Sequence, residues 1–294
     1  MNLRAPLRCF KVYDIRGKLG SEFDVDIAYR IGRACAHVLK ARNIVLGFDA
    51  RESSPDIANA VSRGICDSGS NVLDIGLSGT EEMYWSVSQY KADAGIEVTA
   101  SHNPIEYNGI KIVKKSSQPL LDQEFRKIKF LTEINEFCES HYKGSIFDKK
   151  EEARAYYLKK IFSFIDIKLL RPFKIVINSG NGAAGPLIDA MNERLEAMGV
   201  KTNFVLVHHQ PDPTFPNGIP NPILPQNRLS TSSAVISEKA DFGVAFDGDF
   251  DRCFLFDNCG KFISPEYILG LFAEIFLSKN KGSAIVHDPR VIWN

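Results

Sequence analysis

Asn43-Ile44-Val45-Leu46-Gly47 is a short β-branched run that gives way to a polar loop, Asp49–Pro55, and then to a helical pattern reaching about Ser68. The same order of events repeats downstream. A strand is expected at Asn71–Ile75, a helix near Glu81–Tyr90 and another strand at Ala94–Val98. Strand, helix and strand in repetition argue for an α/β layer with a mainly parallel sheet. In such sheets the working loops leave the carboxyl ends of the strands. Asp49–Pro55, Leu77–Thr80 and Thr99–Gly109 all lie there.

Further along, the polar, Lys-rich stretch His141–Glu152 reads as a linker, and Glu151–Ile165 starts a helix. Lys174–Asn178 begins a second βαβ series. It runs through Phe204–Val207 and the proline-rich loop Pro211–Pro225 to the strand Phe242–Phe246. Cys253–Asp257, a turn at Asn258–Gly260 and Lys261–Ile263 follow. A helix from about Pro265 to Ser278 and a strand at Ala284–Val286 come last. The expected class is a set of consecutive α/β domains with mixed, mainly parallel sheets. The residues after the turn are too few for an independent α/β core, so a third domain is expected to be begun and left incomplete.

A chain of 294 residues has room for two domains and part of a third. Thirty-six basic residues balance thirty-six acidic ones. That balance argues against nucleic-acid and membrane-surface partners, which need a basic excess on one face. No apolar stretch approaches the roughly 20 residues that cross a bilayer. Met1–Gly17 lacks the continuous apolar core of a signal peptide. Six scattered cysteines without a Cys-x-x-Cys pair read as reduced thiols in a cytoplasmic protein.

Chemistry concentrates in two places. In Thr99-Ala100-Ser101-His102-Asn103-Pro104, followed by Tyr107-Asn108-Gly109 and Lys111, a serine on a tight loop after a strand can present its hydroxyl to a cleft. His102, Asn103 and Lys111 are donors suited to phosphate oxygens. A surface turn with a helix-capping serine is the plainer alternative. In Asp247-Gly248-Asp249-Phe250-Asp251-Arg252, three carboxylates at alternate positions can converge on one hard cation, and oxygen ligands with open positions suit Mg²⁺. An EF-hand loop fails here, because its sixth position is Arg252 instead of Gly and its twelfth is Asn258 instead of Glu. Without a cation the three carboxylates beside Phe246 and Phe254 would repel one another.

Other features are weaker. Arg16, within Tyr13-Asp14-Ile15-Arg16-Gly17, can clamp a phosphate bidentately or stand solvated. Gly180-Asn181-Gly182-Ala183-Ala184-Gly185 satisfies a dinucleotide fingerprint, but the next strand runs into His208 and His209 where an acidic residue should hold the ribose. Those glycines are expected to serve a tight turn and close helix packing. His208 and His209, adjacent on a strand, would point to opposite faces. His37 sits inside a helical pattern, and His287 with Asp288 is ambiguous.

Together, Phe10–Gly20, Gly47–Pro55, Glu97–Val113, Asn178–Gly185 with Phe215–Pro225, and Phe246–Asp257 resemble the α-D-phosphohexomutase family, in its order and over nearly the whole chain. Gly76–Glu82 and Phe250 favour its bacterial phosphomannomutase branch. The resemblance implies a Mg²⁺-dependent isomerase, an intramolecular phosphotransferase that interconverts mannose 6-phosphate and mannose 1-phosphate for GDP-mannose synthesis. Its partners would be hexose phosphates, with a hexose 1,6-bisphosphate as intermediate and activator. Ser101 matches the serine that carries the phosphoryl group. Asp247, Asp249 and Asp251 match the magnesium ligands, with the oxygen of phosphorylated Ser101 as the fourth. Arg16, His102 and Lys111 match groups around the phosphate, with His102 and Lys111 as proton-transfer candidates. Tyr13, Asn103 and Arg252 are expected at the phosphate or substrate.

The resemblance also implies a division into residues 1–145, carrying the phosphoserine loop, 151–256, carrying the metal loop, and 257–294, the start of a third domain, with a fourth absent. Complete members read the sugar hydroxyls with a third-domain loop and grip the remote phosphate with a fourth-domain loop. No segment here matches either one, so catalysis by this chain is expected to be severely impaired. The second reading is therefore a non-catalytic remnant that binds Mg²⁺ and sugar phosphate. Phosphoglucomutase activity and a dehydrogenase built on Gly180–Gly185 are minor alternatives, and the oligomeric state is left open.

Overall fold

The structure is a computed structural model that describes residues 6–286. The first half runs β1 (Ile15–Lys18), α1 (Val25–Leu39), β2 (Asn43–Phe48), α2 (Ser54–Asp67), β3 (Asn71–Leu77), α3 (Thr80–Gln89), β4 (Ala94–Val98), β5 (Tyr107–Lys114), β6 (Gln118–Pro119), α4 (Asp122–Ile134), β7 (Ile146–Asp148) and α5 (Lys150–Phe162). Strands order as β1-β5-β4-β2-β3-β7, with β6 on β5. The centre is parallel, β4 and β3 flanking β2, whereas β5 is antiparallel to both β4 and β1.

Successive residues of β2 alternate between two cores, which is why its sequence reads as an unbroken apolar run. Ile44 and Leu46 enter the larger core with Ile31, Val61 and Ile128 from α1, α2 and α4. Val45 points the other way, to Met83 and Val87 of α3 and Ala153 of α5. Helices therefore cover both faces. The Asp24 side chain caps α1 by accepting from the Ile27 amide at 2.8 Å, and Pro55 opens α2 where a missing N–H costs nothing.

The second half contains β8 (Lys174–Asn178), α6 (Gly185–Ala197), β9 (Asn203–Val207), α7 (Leu229–Glu238), β10 (Phe242–Phe246), β11 (Cys253–Phe256), β12 (Phe262–Ile263) and α8 (Pro265–Lys279). Its sheet orders as β12-β11-β10-β8-β9, parallel from β10 to β9 and antiparallel at the other edge. Both sheets are thus mixed, with a parallel centre and an antiparallel flank.

Several local expectations change. His141–Glu152 is not a free linker. Ile146–Asp148 pairs in parallel with Val72–Asp74, because β3 offers an open edge and the Asn71 side chain accepts from the Ser145 amide at 3.0 Å. The first sheet therefore extends past residue 145. The second extends past 256, since Phe262 and Ile263 pair with Phe256 and Leu255. The loop after β4 ends at Glu106, and Asn108 and Gly109 lie on β5 opposite Gly17 and Arg16. β9 stops at Val207, so His208 begins a loop at φ +44° and the opposite-face argument does not apply. Ala284–Val286 forms no strand among the described residues, where it meets no pairing partner. His287 and Asp288 lie outside the described residues. Among those residues no helix is long and apolar enough to cross a membrane, and all six cysteines are free thiols.

Candidate active site

Two loops meet at the carboxyl ends of β4 and β10. The first carries Ser101, 1% exposed and held at φ +51°, a left-handed backbone uncommon for a residue with a Cβ. Thr99 fixes it from behind, its Oγ1 accepting from the Ser101 amide at 2.7 Å. The second loop approaches so closely that a Cβ on Gly248 would lie 2.7 Å from the Ser101 carbonyl oxygen. Only glycine permits that approach. As a result the Ser101 hydroxyl donates to Asp247 Oδ2 at 2.8 Å, across the boundary between the two sheets.

Asp247, Asp249 and Asp251 converge as the sequence pattern requires. Each offers one carboxylate oxygen, and the three atoms lie within 4.8 Å of one another. Asp249 Oδ1 and Asp251 Oδ1 are buried without any hydrogen-bond partner. Buried orphaned acceptors are costly, and these two together with an oxygen of Asp247 fit a hard divalent cation. The other oxygens are occupied. Lys111 Nζ donates to Asp249 Oδ2 at 2.5 Å and to Asp251 Oδ2 at 2.8 Å, and it contacts Thr80 Oγ1 at 3.1 Å. Thr80 donates in turn to Asp249 Oδ2 at 2.7 Å.

Burial, then the neighbouring Asp249 and Asp251 charges, push the Asp247 carboxyl up to about 7. Burial also opposes ionisation of Asp249, but Lys111, Thr80 and Ser101 outweigh it and hold its carboxyl below the usual range. Lys111 is the converse. Burial alone would lower its ammonium, yet Asp249 and Asp251 keep it above the ordinary lysine value. The remaining negative charge is what a bound cation would neutralise.

Around the serine, Arg16 projects from β1, placed by the register that sets it opposite Gly109. Its Nη1 donates to Asn103 Oδ1 at 2.6 Å and to the Ala100 carbonyl at 3.3 Å, while Asp14 holds its Nε at 2.7 Å. His102 Nδ1 lies 3.1 Å from Ser101 Oγ and accepts from Arg252 Nη1 at 3.1 Å. Burial, then the Arg252 and Arg16 charges, lower the His102 imidazole below its ordinary value, which favours the neutral ring.

Of the residues singled out from sequence, Ser101, His102, Asn103, Lys111, Arg16, Arg252 and the three aspartates come together. Tyr13 does not: its side chain is 92% exposed and makes no hydrogen bond to the cluster. Thr80 and Arg51 join the cluster as well, and in the sequence they carry no signal beyond lying in the loops Leu77–Thr80 and Asp49–Pro55. The glycines of Gly180–Gly185 behave as expected of packing residues. A Cβ on Gly182 would meet the Gly248 carbonyl oxygen at 2.7 Å, so this turn supports the metal loop from below.

Comparison with known proteins adds the lineage. Residues 7–138 match the profile of phosphoglucomutase/phosphomannomutase, alpha/beta/alpha domain I, and residues 155–260 match that of domain II. A phosphomannomutase of Escherichia coli (strain K12) is 51% identical over 291 residues, covering 98% of this chain and 63% of its own length. A phosphomannomutase of Vibrio cholerae is 50% identical over 294 residues, with the same shares of each chain. The chain thus spans somewhat less than two thirds of the curated relatives it matches. A crystal structure of a phosphoglucomutase/phosphomannomutase family protein from Burkholderia thailandensis superposes with a TM-score of 0.83 at 32% identity, covering 94% of this chain and 60% of that one. Two profiles that cover most of the two halves, and relatives at half identity along nearly the whole chain, lead to one conclusion: this chain belongs to the phosphoglucomutase/phosphomannomutase family.

Proposed function

We propose that the chain is a phosphohexomutase of the phosphomannomutase type, moving a phosphoryl group between Ser101 and a hexose phosphate. The observation that carries the reading is the contact between Ser101 Oγ and Asp247 Oδ2 at 2.8 Å, which sets a serine hydroxyl against three convergent carboxylates. Residues up to about 148 would form the phosphoserine domain. Those from α5 to about 263 would form the metal domain, with the start of a third beyond.

In this reading Asp247, Asp249 and Asp251 hold Mg²⁺ together with an oxygen of phosphorylated Ser101. Bound there, Mg²⁺ would withdraw charge from the phosphoryl group and stabilise the departing serine oxygen. The residues do the rest. A hydroxyl of mannose 1-phosphate or mannose 6-phosphate attacks phosphorus, the bond to Ser101 Oγ breaks, and a hexose 1,6-bisphosphate forms. The bisphosphate turns round and returns its other phosphate to Ser101. Phosphoryl transfer of this kind depends on positioning and neutralisation of charge. Arg16, Asn103 and Arg252 supply donors at the phosphate, while the neutral His102 ring receives the hydroxyl proton and the Lys111 ammonium is the group that gives one back. The product would supply GDP-mannose synthesis in the cytoplasm.

A coupled assay of the chain on mannose 1-phosphate, with Mg²⁺ and a hexose 1,6-bisphosphate as activator, tests the reading. Turnover that is lost in Asp249→Ala supports it. Phosphate accepted by Ser101 without turnover would support the narrower reading of a metal- and sugar-phosphate-binding protein. Neither turnover nor phosphoserine would refute the mutase reading.

A further inference from the structure

Arg51 is a buried arginine in the loop after β2, away from the metal triad, with its side chain 1% exposed. Its guanidinium is spent on the serine loop. Nη1 donates to the carbonyls of Pro104 at 2.9 Å and Tyr107 at 3.0 Å, and Nη2 to those of Ser101 at 2.9 Å and Asn103 at 2.6 Å. Nε faces Asp49 Oδ2 at 3.4 Å. Asp49 is itself pinned, because its Oδ1 accepts from Ser54 Oγ at 2.6 Å and from the Arg51 amide at 3.1 Å. From the proline-rich loop 211–225 of the second half, the buried ring of Phe215 lies 6.0 Å from the guanidinium carbon, on a backbone at φ +46°. One planar cation therefore gathers three carbonyls of the serine loop and the first carbonyl of β5, and meets an aromatic face of another loop.

We infer that Arg51 is the positioning residue of the serine loop, fixing where Ser101 stands relative to the metal loop, and that Phe215 seats it from the proline-rich loop of the second half. The inference rests on the proposed role of Ser101 as phosphoryl carrier. The Ser101 carbonyl is the key atom. The guanidinium holds it, and the Gly248 backbone passes close to it, so Arg51 sets the distance between serine and triad without touching a substrate. It also turns four carbonyl oxygens onto itself that would otherwise oppose an anionic phosphate. Lysine cannot substitute, because a point ammonium with three donors cannot span four carbonyls that a rigid planar fork reaches.

The test follows phosphate arriving at Ser101 by intact mass, using the full chain with Mg²⁺ and glucose 1,6-bisphosphate, beside Mn²⁺ binding read by paramagnetic resonance. Arg51→Lys is expected to slow phosphate arrival about 100-fold, the scale of loss that small misplacement of a reacting group produces, with Mn²⁺ binding unchanged. Arrival at the wild-type rate would overturn the inference. Phe215→Leu covers the case of an unfolded Arg51→Lys. It keeps an apolar side chain, removes the ring face, and is expected to slow arrival about fivefold. A wild-type rate in that variant would overturn the role of Phe215 as the seat. If the wild-type chain takes no phosphate, the proposed function fails separately, and hydrogen exchange decides the inference. Amides of residues 100–107 exchanging about 100-fold faster in Arg51→Lys, with those of β2 and β8 unchanged, support it, and unchanged exchange overturns it.

Discussion

Ser101 at φ +51° and Phe250 at φ +41° are non-glycine residues in left-handed conformation, one in each of the loops that meet at the cleft. The loops carry this strain by opposite means. The serine loop is held by its backbone, through four carbonyls gathered on the Arg51 guanidinium. The metal loop is held by its side chains: carboxylates on Lys111 and Thr80, and the Phe250 ring packed with Leu77, Tyr157 and Ala183. A guanidinium keeps its charge throughout the physiological range, so the serine loop is set whatever the charge state of the triad. The metal loop instead depends on a balance of carboxylates and cations that a bound ion must complete. One loop is a fixed platform, and the other is the part that responds.

The largest effect is expected at the most heavily bonded carboxylate of the metal loop. Asp249→Ala removes a metal oxygen and the partner of both Lys111 and Thr80. It should lower Mg²⁺-dependent phosphorylation of Ser101 about a thousandfold, measured by intact mass against time. Hydrogen exchange of the serine-loop amides should stay as in the wild type, and a loosened serine loop would break the comparison.

Phe250→Ala should come next. Removing a buried ring costs about 3–5 kcal/mol, read from denaturant unfolding, and the metal loop should loosen before the serine loop does. Gly248→Ala is smaller, about 1–3 kcal/mol, because the new methyl group would force the metal loop away from the Ser101 carbonyl. An unchanged unfolding midpoint would mean that the loops do not meet as closely as described.

How much of this was legible in the sequence follows from where the partners lie along the chain. The serine and aspartate motifs are contiguous, so the residues could be read as groups, and the strands before them announced the loops. Arg51 and Thr80 could not be read in that way. Arg51 bonds Ser101 across 50 residues and Thr80 bonds Asp249 across 169, and neither pairing leaves a local pattern. The Lys-rich stretch before α5 looked like a linker by composition, yet an open sheet edge captured Ile146–Asp148. Tyr13, expected at the phosphate from the resemblance, is left in solvent by the turn before β1.

The smallest effect is expected beneath the cleft. Glu97, on β4 under the cleft, is fully buried and makes no ion pair among the described residues; its carboxylate meets Ser78 Oγ at 3.3 Å. Burial, then the charges of Asp249, Asp49 and Glu82, raise its carboxyl well above the ordinary 4.5. The folded chain therefore holds a proton that the unfolded chain releases, and stability falls as pH rises from about 4.5 toward the raised value. Glu97→Gln lacks this proton. In metal-free protein its unfolding midpoint should gain on the wild type as pH rises through that window, and parallel curves would show that Glu97 is ionised when folded.

The most direct test of the whole account is peptide mapping of the chain after incubation with Mg²⁺ and glucose 1,6-bisphosphate. The account predicts one phosphate, on Ser101, absent when Mg²⁺ is chelated and absent in Asp247→Asn. A phosphate on another residue, or none under conditions where the chain is folded and binds Mn²⁺, would contradict it.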